Sequence, residues 1–183
     1  MPCSAASLVI LPARVIGWNL VNATAINVGV LTVSDRASRG EYDDLGGPAL
    51  KEAAEKYGWK VIEEGLVPDD KTAIQKKIRD FEKAGCGLVL TTGGTGIAQR
   101  DVTPEAVREI MTKELPGFGE VMRAQSMKIT PNAILSRNMA ALVGRSLVIT
   151  LPGKPSGAVE CLGFVHGAIK HGVELAQSIP TSC

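Results

Sequence analysis

Two aspartates and one glycine-rich turn hold most of the chemistry in this sequence. Asp69 stands in Val67-Pro68-Asp69-Asp70 and Asp101 in Arg100-Asp101-Val102-Thr103-Pro104, each just beyond the end of a predicted strand. Two carboxylates at one anion site repel the ligand unless a cation lies between them. Mg²⁺, which takes oxygen ligands and keeps several waters, is the natural one. For either Asp taken singly, a turn or cap role is the ordinary reading. Thr92-Gly93-Gly94-Thr95-Gly96 is a turn where positive φ is free, and its successive N–H groups can form an anion nest. A helix predicted from Thr103 would add partial positive charge there. No Gly-Lys-Ser/Thr follows, so this is not a Walker A loop. Gln99 occupies the third-glycine place of the dinucleotide fingerprint, which excludes that motif too. On Gly93 to Gly96 alone, a phosphate loop and a plain strand-to-helix turn are equal readings.

Other polar residues fall at similar points. Ser34-Asp35-Arg36 ends one predicted strand, and Pro152-Gly153-Lys154 ends another. Lys154 could meet an anion or be an ordinary turn lysine. Arg137, after Ser136, could fork onto a phosphate or form a surface ion pair. Asp43-Asp44 reads as a solvated face. His166 reads as a satisfied core histidine and His171 as exposed. Cys86 and Cys161 read as small buried hydrophobes. No Cys-x-x-Cys occurs, and no Ser/His/Asp or Cys/His arrangement is suggested.

The elements that must position these residues alternate. Strands are predicted at 27–33, 59–67 and 87–92, and a pair at 134–143 and 146–151 across Gly144-Arg145. Helices are predicted from Pro48 to Tyr57, over 71–84, from an N-capping Thr103 to about Glu114, over 117–128 and from Ser156 to about Gln177. Phe118, Val121 and Met122 mark the inner side of the fourth helix. The alternation implies an α/β sandwich with a mainly parallel sheet covered on both faces. In such sheets ligands bind at the carboxyl ends of the strands, where the residues above cluster.

Length and composition agree with one domain: 183 residues, 45% hydrophobic and 21% charged. The net charge of +1 supplies no overall pull toward nucleic acid or an anionic membrane, and no apolar run is long enough for a transmembrane helix. Scattered thiols fit a reducing cytoplasm. Residues 1–26 read as an N-terminal extension and 27–180 as a single domain. Pro12 and Arg14 interrupt the early apolar run and argue against a signal peptide there.

Val33-Ser34-Asp35-Arg36-Ala37-Ser38, Thr92-Gly93-Gly94-Thr95-Gly96, Arg100-Asp101-Val102-Thr103-Pro104-Glu105-Ala106 and Leu151-Pro152-Gly153 together resemble the molybdopterin adenylyltransferases of the MogA/MoaB family, relatives of the gephyrin G domain. Pro116-Gly117-Phe118-Gly119-Glu120 and Ala133-Ile134-Leu135-Ser136-Arg137 resemble the bacterial form. The match covers about residues 27–178. It implies a three-layer MogA-like fold, a homotrimer, and a reaction of ATP with molybdopterin that yields adenylylated molybdopterin and pyrophosphate with Mg²⁺. A molybdenum-insertion enzyme is an implied partner. By the resemblance, Asp69 and Asp101 serve catalysis and the metal. Ser34, Asp35, Thr92, Gly93, Gly94, Thr95 and Gly96 serve nucleotide and phosphate. Ser136, Arg137, Pro152, Gly153 and Lys154 serve the pterin. Gly46 departs from the bacterial pattern, which has Ser there. Rival readings are a non-catalytic molybdopterin-binding or scaffold protein, and a CinA-like nucleotide pyrophosphatase.

Overall fold

A computed structural model of the chain describes residues 25–180, so the expected extension lies almost wholly outside the described residues, as do Cys3 and Cys183. Strand β1 (Asn27–Val33) is followed by a short helix α1 (Asp35–Ser38), then α2 (Gly46–Lys56), β2 (Lys60–Val67), α3 (Lys71–Lys83) and β3 (Leu88–Thr92). Next come α4 (Thr103–Ile110), β4 (Lys113–Glu114), α5 (Pro116–Ser126), a 3₁₀ helix (Pro131–Leu135), β5 (Ala140–Val143), β6 (Ser146–Leu151) and α6 (Pro155–Ala176).

The six strands form one sheet in the order β2-β1-β3-β6-β5-β4. The first four in that order run parallel, while β5 and β4 are antiparallel additions at one edge. Because β1 leads outward to β2 and the chain then returns to place β3 on the other side of β1, the order reverses at β1/β3. A crevice opens at such a reversal, beyond the carboxyl ends of the strands.

Both faces of the sheet are covered, which is why β3 and β6 are buried throughout and mostly apolar. One core joins Val28, Val30, Leu88, Leu90, Leu147 and Ile149 to α2, α5 and α6. The other joins Leu31, Val89, Val148 and their neighbours to α3 and α4. Helix α3 presents Ile74, Ile78 and Phe81 on one stripe, and Asp70 caps it by accepting the Ala73 N–H at 2.8 Å. Phe81 lies flat against Gly29. A Cβ at Gly29 would sit 2.5 Å from the Phe81 ring, so β1 has no room for a side chain there.

Several expected elements differ. The strand expected over 134–143 is a strand only from Ala140, because the Arg137 N–H donates to Thr95 O at 3.0 Å and draws the preceding segment off the sheet. Helix α4 stops at Ile110. The residues after it pair with β5, Thr112 N–H to Leu142 O and Leu115 N–H to Ala140 O, both at 2.8 Å. Val121 is exposed rather than inward, while Met122 is fully buried. His166 is not in the core: it is exposed and stacks on Tyr57, ring centroids 4.4 Å apart. Cys86 and Cys161 are buried free thiols, as expected.

Candidate active site

The glycine turn after β3 is anchored by its carbonyls. Thr103 Oγ1 donates to Gly93 O at 2.9 Å and Thr103 N–H to Gly94 O at 3.0 Å. Arg137 N–H takes Thr95 O at 3.0 Å, and Arg137 Nε takes Gly96 O at 2.6 Å. Four successive carbonyls are thus occupied from the α4 and Arg137 side. Among the described residues, no acceptor takes the N–H of Gly94, Thr95, Gly96 or Ile97. A run of unpaired backbone donors is the physical definition of an anion nest.

The geometry also accounts for the glycines. Gly93 has φ +105°, and a Cβ there would lie 2.1 Å from Val33 O, so only glycine lets the ends of β1 and β3 approach. Gly94 has φ +62° and faces Asp69 Oδ1 as well as Thr103 Oγ1, while Gly96 faces Asp101 Oδ2. Thr103 is therefore the first residue of α4 and a clamp on the turn, not the N-cap that its type predicts.

The two aspartates meet at this turn. Asp35 N–H donates to Asp69 Oδ2 at 2.8 Å, and Asp69 N–H donates to Asp35 Oδ1 at 3.0 Å, a reciprocal clasp between the ends of β1 and β2. Burial pushes the Asp69 carboxyl above its ordinary value, and the charges of Asp35 and Asp101 add to the rise. The Arg100 guanidinium forks onto Asp35 at 2.7–2.9 Å and holds that carboxyl below its ordinary value. Asp101 Oδ2 accepts the Ala98 N–H at 2.9 Å. Among the described residues no cluster of three or more His, Cys, Asp or Glu side chains could hold a metal. Mg²⁺ needs only one or two carboxylates beside substrate phosphates. The raised Asp69 carboxyl, crowded by like charges, is a donor set short of positive charge, and it fits that ion.

Two clefts open here. The smaller, about 320 Å³, includes Ser34, Tyr42, Asp69, Thr92, Gly93 and Pro155 in its wall. The larger, about 710 Å³, includes Arg123, Ser136, Asn138, Pro152, Lys154 and Cys161. Both share Gly94, Asp101 and Gly153, so a group held at one can reach a group held at the other. Thr92 Oγ1 donates to Pro152 O at 2.7 Å, and Gly93 N–H to Leu151 O at 3.2 Å, locking the last parallel strand's loop to the turn.

The predicted residues separate by role. Ser34 caps α1 by accepting the Ala37 N–H at 3.2 Å and meets Tyr42 Oη at 2.9 Å. Ser136 and Lys154 line the larger cleft. Arg137 is occupied instead: besides Gly96 O, it holds Asp101 O at 2.6 Å and pairs with Glu105. Two of its nitrogens brace the Gly96–Asp101 loop, and the third ties that loop to α4 through Glu105. Asp44 is not a solvated residue. Its Oδ1 accepts the Gly46 and Gly47 N–H groups at 2.9 and 3.1 Å, and its Oδ2 accepts Thr32 Oγ1 at 2.7 Å, which starts α2 two residues before Pro48. Gly46 leaves no space for the serine of the bacterial pattern, since a Cβ would be 2.9 Å from Thr92.

Arg123 and Asn138 were not legible as site residues. Arg123 Nη1 donates to Asn138 O at 2.9 Å at the edge of the larger cleft. Asn138 is 2% exposed, and its Oδ1 has no hydrogen-bond partner among the described residues. Arg123 sits on α5 like any surface arginine in sequence. Asn138 follows Ser136-Arg137 directly, and that adjacency is the one signal that could have drawn attention to it.

Residues 29–171 match the model of the family described as "Probable molybdopterin binding domain". The chain is 48% identical over 153 residues to the molybdopterin adenylyltransferase of Helicobacter pylori strain J99, covering 82% of this chain and 87% of that protein. It is 40% identical over 156 residues to the Escherichia coli K12 molybdopterin adenylyltransferase, covering 81% and 80%. The crystal structure of the molybdopterin biosynthesis enzyme MoaB from Thermus thermophilus superposes with TM-score 0.79 at 42% identity, over 86% of this chain and 99% of that one. The protein CinA from Thermoplasma acidophilum, 20% identical with TM-score 0.62, shares the fold alone. With its parallel strand ends, its glycine turn and both aspartates in place, this chain belongs to the molybdopterin-binding family of molybdenum cofactor biosynthesis.

Proposed function

We propose that the chain is a molybdopterin adenylyltransferase. ATP and molybdopterin are its substrates, and adenylylated molybdopterin and pyrophosphate its products. The observation that carries this reading is the set of unpaired N–H groups from Gly94 to Ile97, standing beside Asp69 and Asp101 where the two clefts join. The smaller cleft, acidic and next to the turn, takes the nucleotide. The larger takes the pterin, with Lys154 and Arg123 as cations for its terminal phosphate. A phosphate oxygen of the pterin attacks the α-phosphorus, a new P–O bond forms, and the bond to the pyrophosphate oxygen breaks. The nucleophile is already anionic, so the chain need not remove a proton. It holds two anions in line and offers N–H donors to the reacting phosphate. Asp69 and Asp101 would hold Mg²⁺, which supplies neutralising charge on the phosphates when bound.

The homotrimer and the cytoplasmic setting belong to the same proposal. Ile129, Ile134 and Leu135 are exposed around one short segment, which suits contact with another copy. Burial pushes the Cys86 thiol up to about 11, which keeps it protonated and unreactive. Among the described residues no helix is long and apolar enough to cross a membrane.

The test is incubation with α-labelled ATP, Mg²⁺ and fresh molybdopterin. Labelled adenylylated pterin is expected, and Asp101→Asn should fold normally yet lose on the order of 100-fold or more in turnover. Full activity in Asp101→Asn would sink the assignment of Asp101. Bound molybdopterin without product would favour the binding-protein reading, and AMP release without pterin the hydrolase.

A further inference from the structure

Among the described residues that line the smaller cleft, Asp44, Asp69 and Asp101 are acidic and none is Lys or Arg. A triphosphate entering there meets carboxylates and, of the turn's free donors, only the Gly94 N–H. Arg100 stands at the edge of this arrangement. Its Nε and Nη2 fork onto Asp35, the residue that clasps Asp69, and its charge is felt at Asp69. The two halves of that ion pair differ in exposure. The Arg100 side chain is 67% exposed and that of Asp35 only 20%.

Resting on the adenylyl-transfer reading above, we propose that Arg100 is a phosphate-binding residue that Asp35 holds in waiting and hands to the leaving pyrophosphate portion of the nucleotide. A guanidinium fork fits a carboxylate and a phosphate equally well, so the ligand can replace Asp35 without a change of geometry. The exchange costs modestly, because the Arg100 half of the pair lies in solvent. Asp35 is not left stranded, since it keeps the Asp69 N–H at 3.0 Å. The backbone does not need to move. Arg137 holds Gly96 O and Asp101 O at the two ends of the loop, and the tip is closed by Asp101 N–H to Ala98 O at 2.9 Å. Only the long Arg100 side chain has to turn. Arg36 and Arg39, the other arginines nearby, both pair with Glu41, and Arg36 lies over the Tyr42 ring at 4.9 Å.

The test is titration of inorganic pyrophosphate with excess Mg²⁺ into the full chain by calorimetry, for wild type, Arg100→Ala, Asp35→Asn and the double variant. Arg100→Ala should weaken binding about tenfold or more, the loss of a charged bidentate contact. Arg100→Lys should recover part of it. Asp35→Asn should tighten binding in wild type and lose that effect when Arg100 is absent, because it acts by freeing the arginine. Four results overturn the proposal. The first is Arg100→Ala binding pyrophosphate within twofold of wild type. The second is Asp35→Asn tightening binding equally in both backgrounds, which makes Asp35 a mere repelling charge. The third is both single variants weakening binding alike, which makes the pair a brace. A wild type that binds no pyrophosphate overturns it as well. A chain that shows the expected pattern yet forms no adenylylated pterin keeps the Arg100 assignment and fails the transferase reading instead.

Discussion

Asp69 is ionised at a cost. Burial disfavours its charge, and the nearby charges of Asp35 and Asp101 oppose it further. A carboxyl whose folded pKa lies above its unfolded one weakens the fold once it ionises. The cost is absent below the ordinary value of 3.8 and grows as pH rises through the folded value. Asp69→Asn keeps an acceptor for the Asp35 N–H and removes the charge. It should therefore be more stable than wild type in urea unfolding near pH 7, with the margin shrinking as pH falls to the ordinary value of 3.8, while adenylyl transfer falls. An equal margin at both values would mean that the charge is not what strains the site. Asp69 and Asp101 were legible from sequence because both follow strand ends in turns of unusual composition. The clasp that Asp69 makes with Asp35, 34 positions away, was not. Ser34, Asp35 and Asp44 show the same limit: their types suggest ligands or solvent, while the structure engages each with backbone N–H groups.

At the scale of elements, the turn works because α4 and the segment before β5 hold its carbonyls. Gly93→Ala would put a Cβ against Val33 O at positive φ and should cost about 2 kcal/mol or more in chemical unfolding, a strained backbone together with a clash. Arg137→Lys keeps the charge but cannot hold Gly96 O, Asp101 O and Glu105 at once. It should lower kcat roughly tenfold through a displaced Asp101 and leave the KM for molybdopterin within about twofold. A rise in that KM with kcat intact would return Arg137 to the pterin site that the resemblance implied. In the core, Gly29→Ala should lose about 1–3 kcal/mol by crowding Phe81. Periodicity places most helices and parallel strands within a residue or two. It fails at 134–143, where apolar residues at strand-like spacing are pulled into a 3₁₀ helix and an extended bridge by the Arg137 contacts, which no local pattern contains.

The whole molecule sets an acidic cleft beside one of mixed charge that carries its own cations. Arg123, Lys154 and Glu160 line the larger, and Asp44 and Asp69 the smaller, with Asp101 shared. Removing divalent metal with EDTA should therefore abolish ATP binding and leave molybdopterin affinity within about twofold. Equal loss of both ligands would refute the division.

Local sequence determined the alternation of elements, the parallel sheet, the glycine turn and the two key aspartates, because periodicity, turn chemistry and strand-end position are short-range properties. Only the tertiary structure decided which donors of the turn remain free, where Arg100 and Arg137 spend their guanidinium groups, and that Arg123 and Asn138 belong to the larger cleft. Each of those depends on a partner in another segment of the chain, and the sheet order and helix packing, not the neighbouring sequence, bring that partner into range.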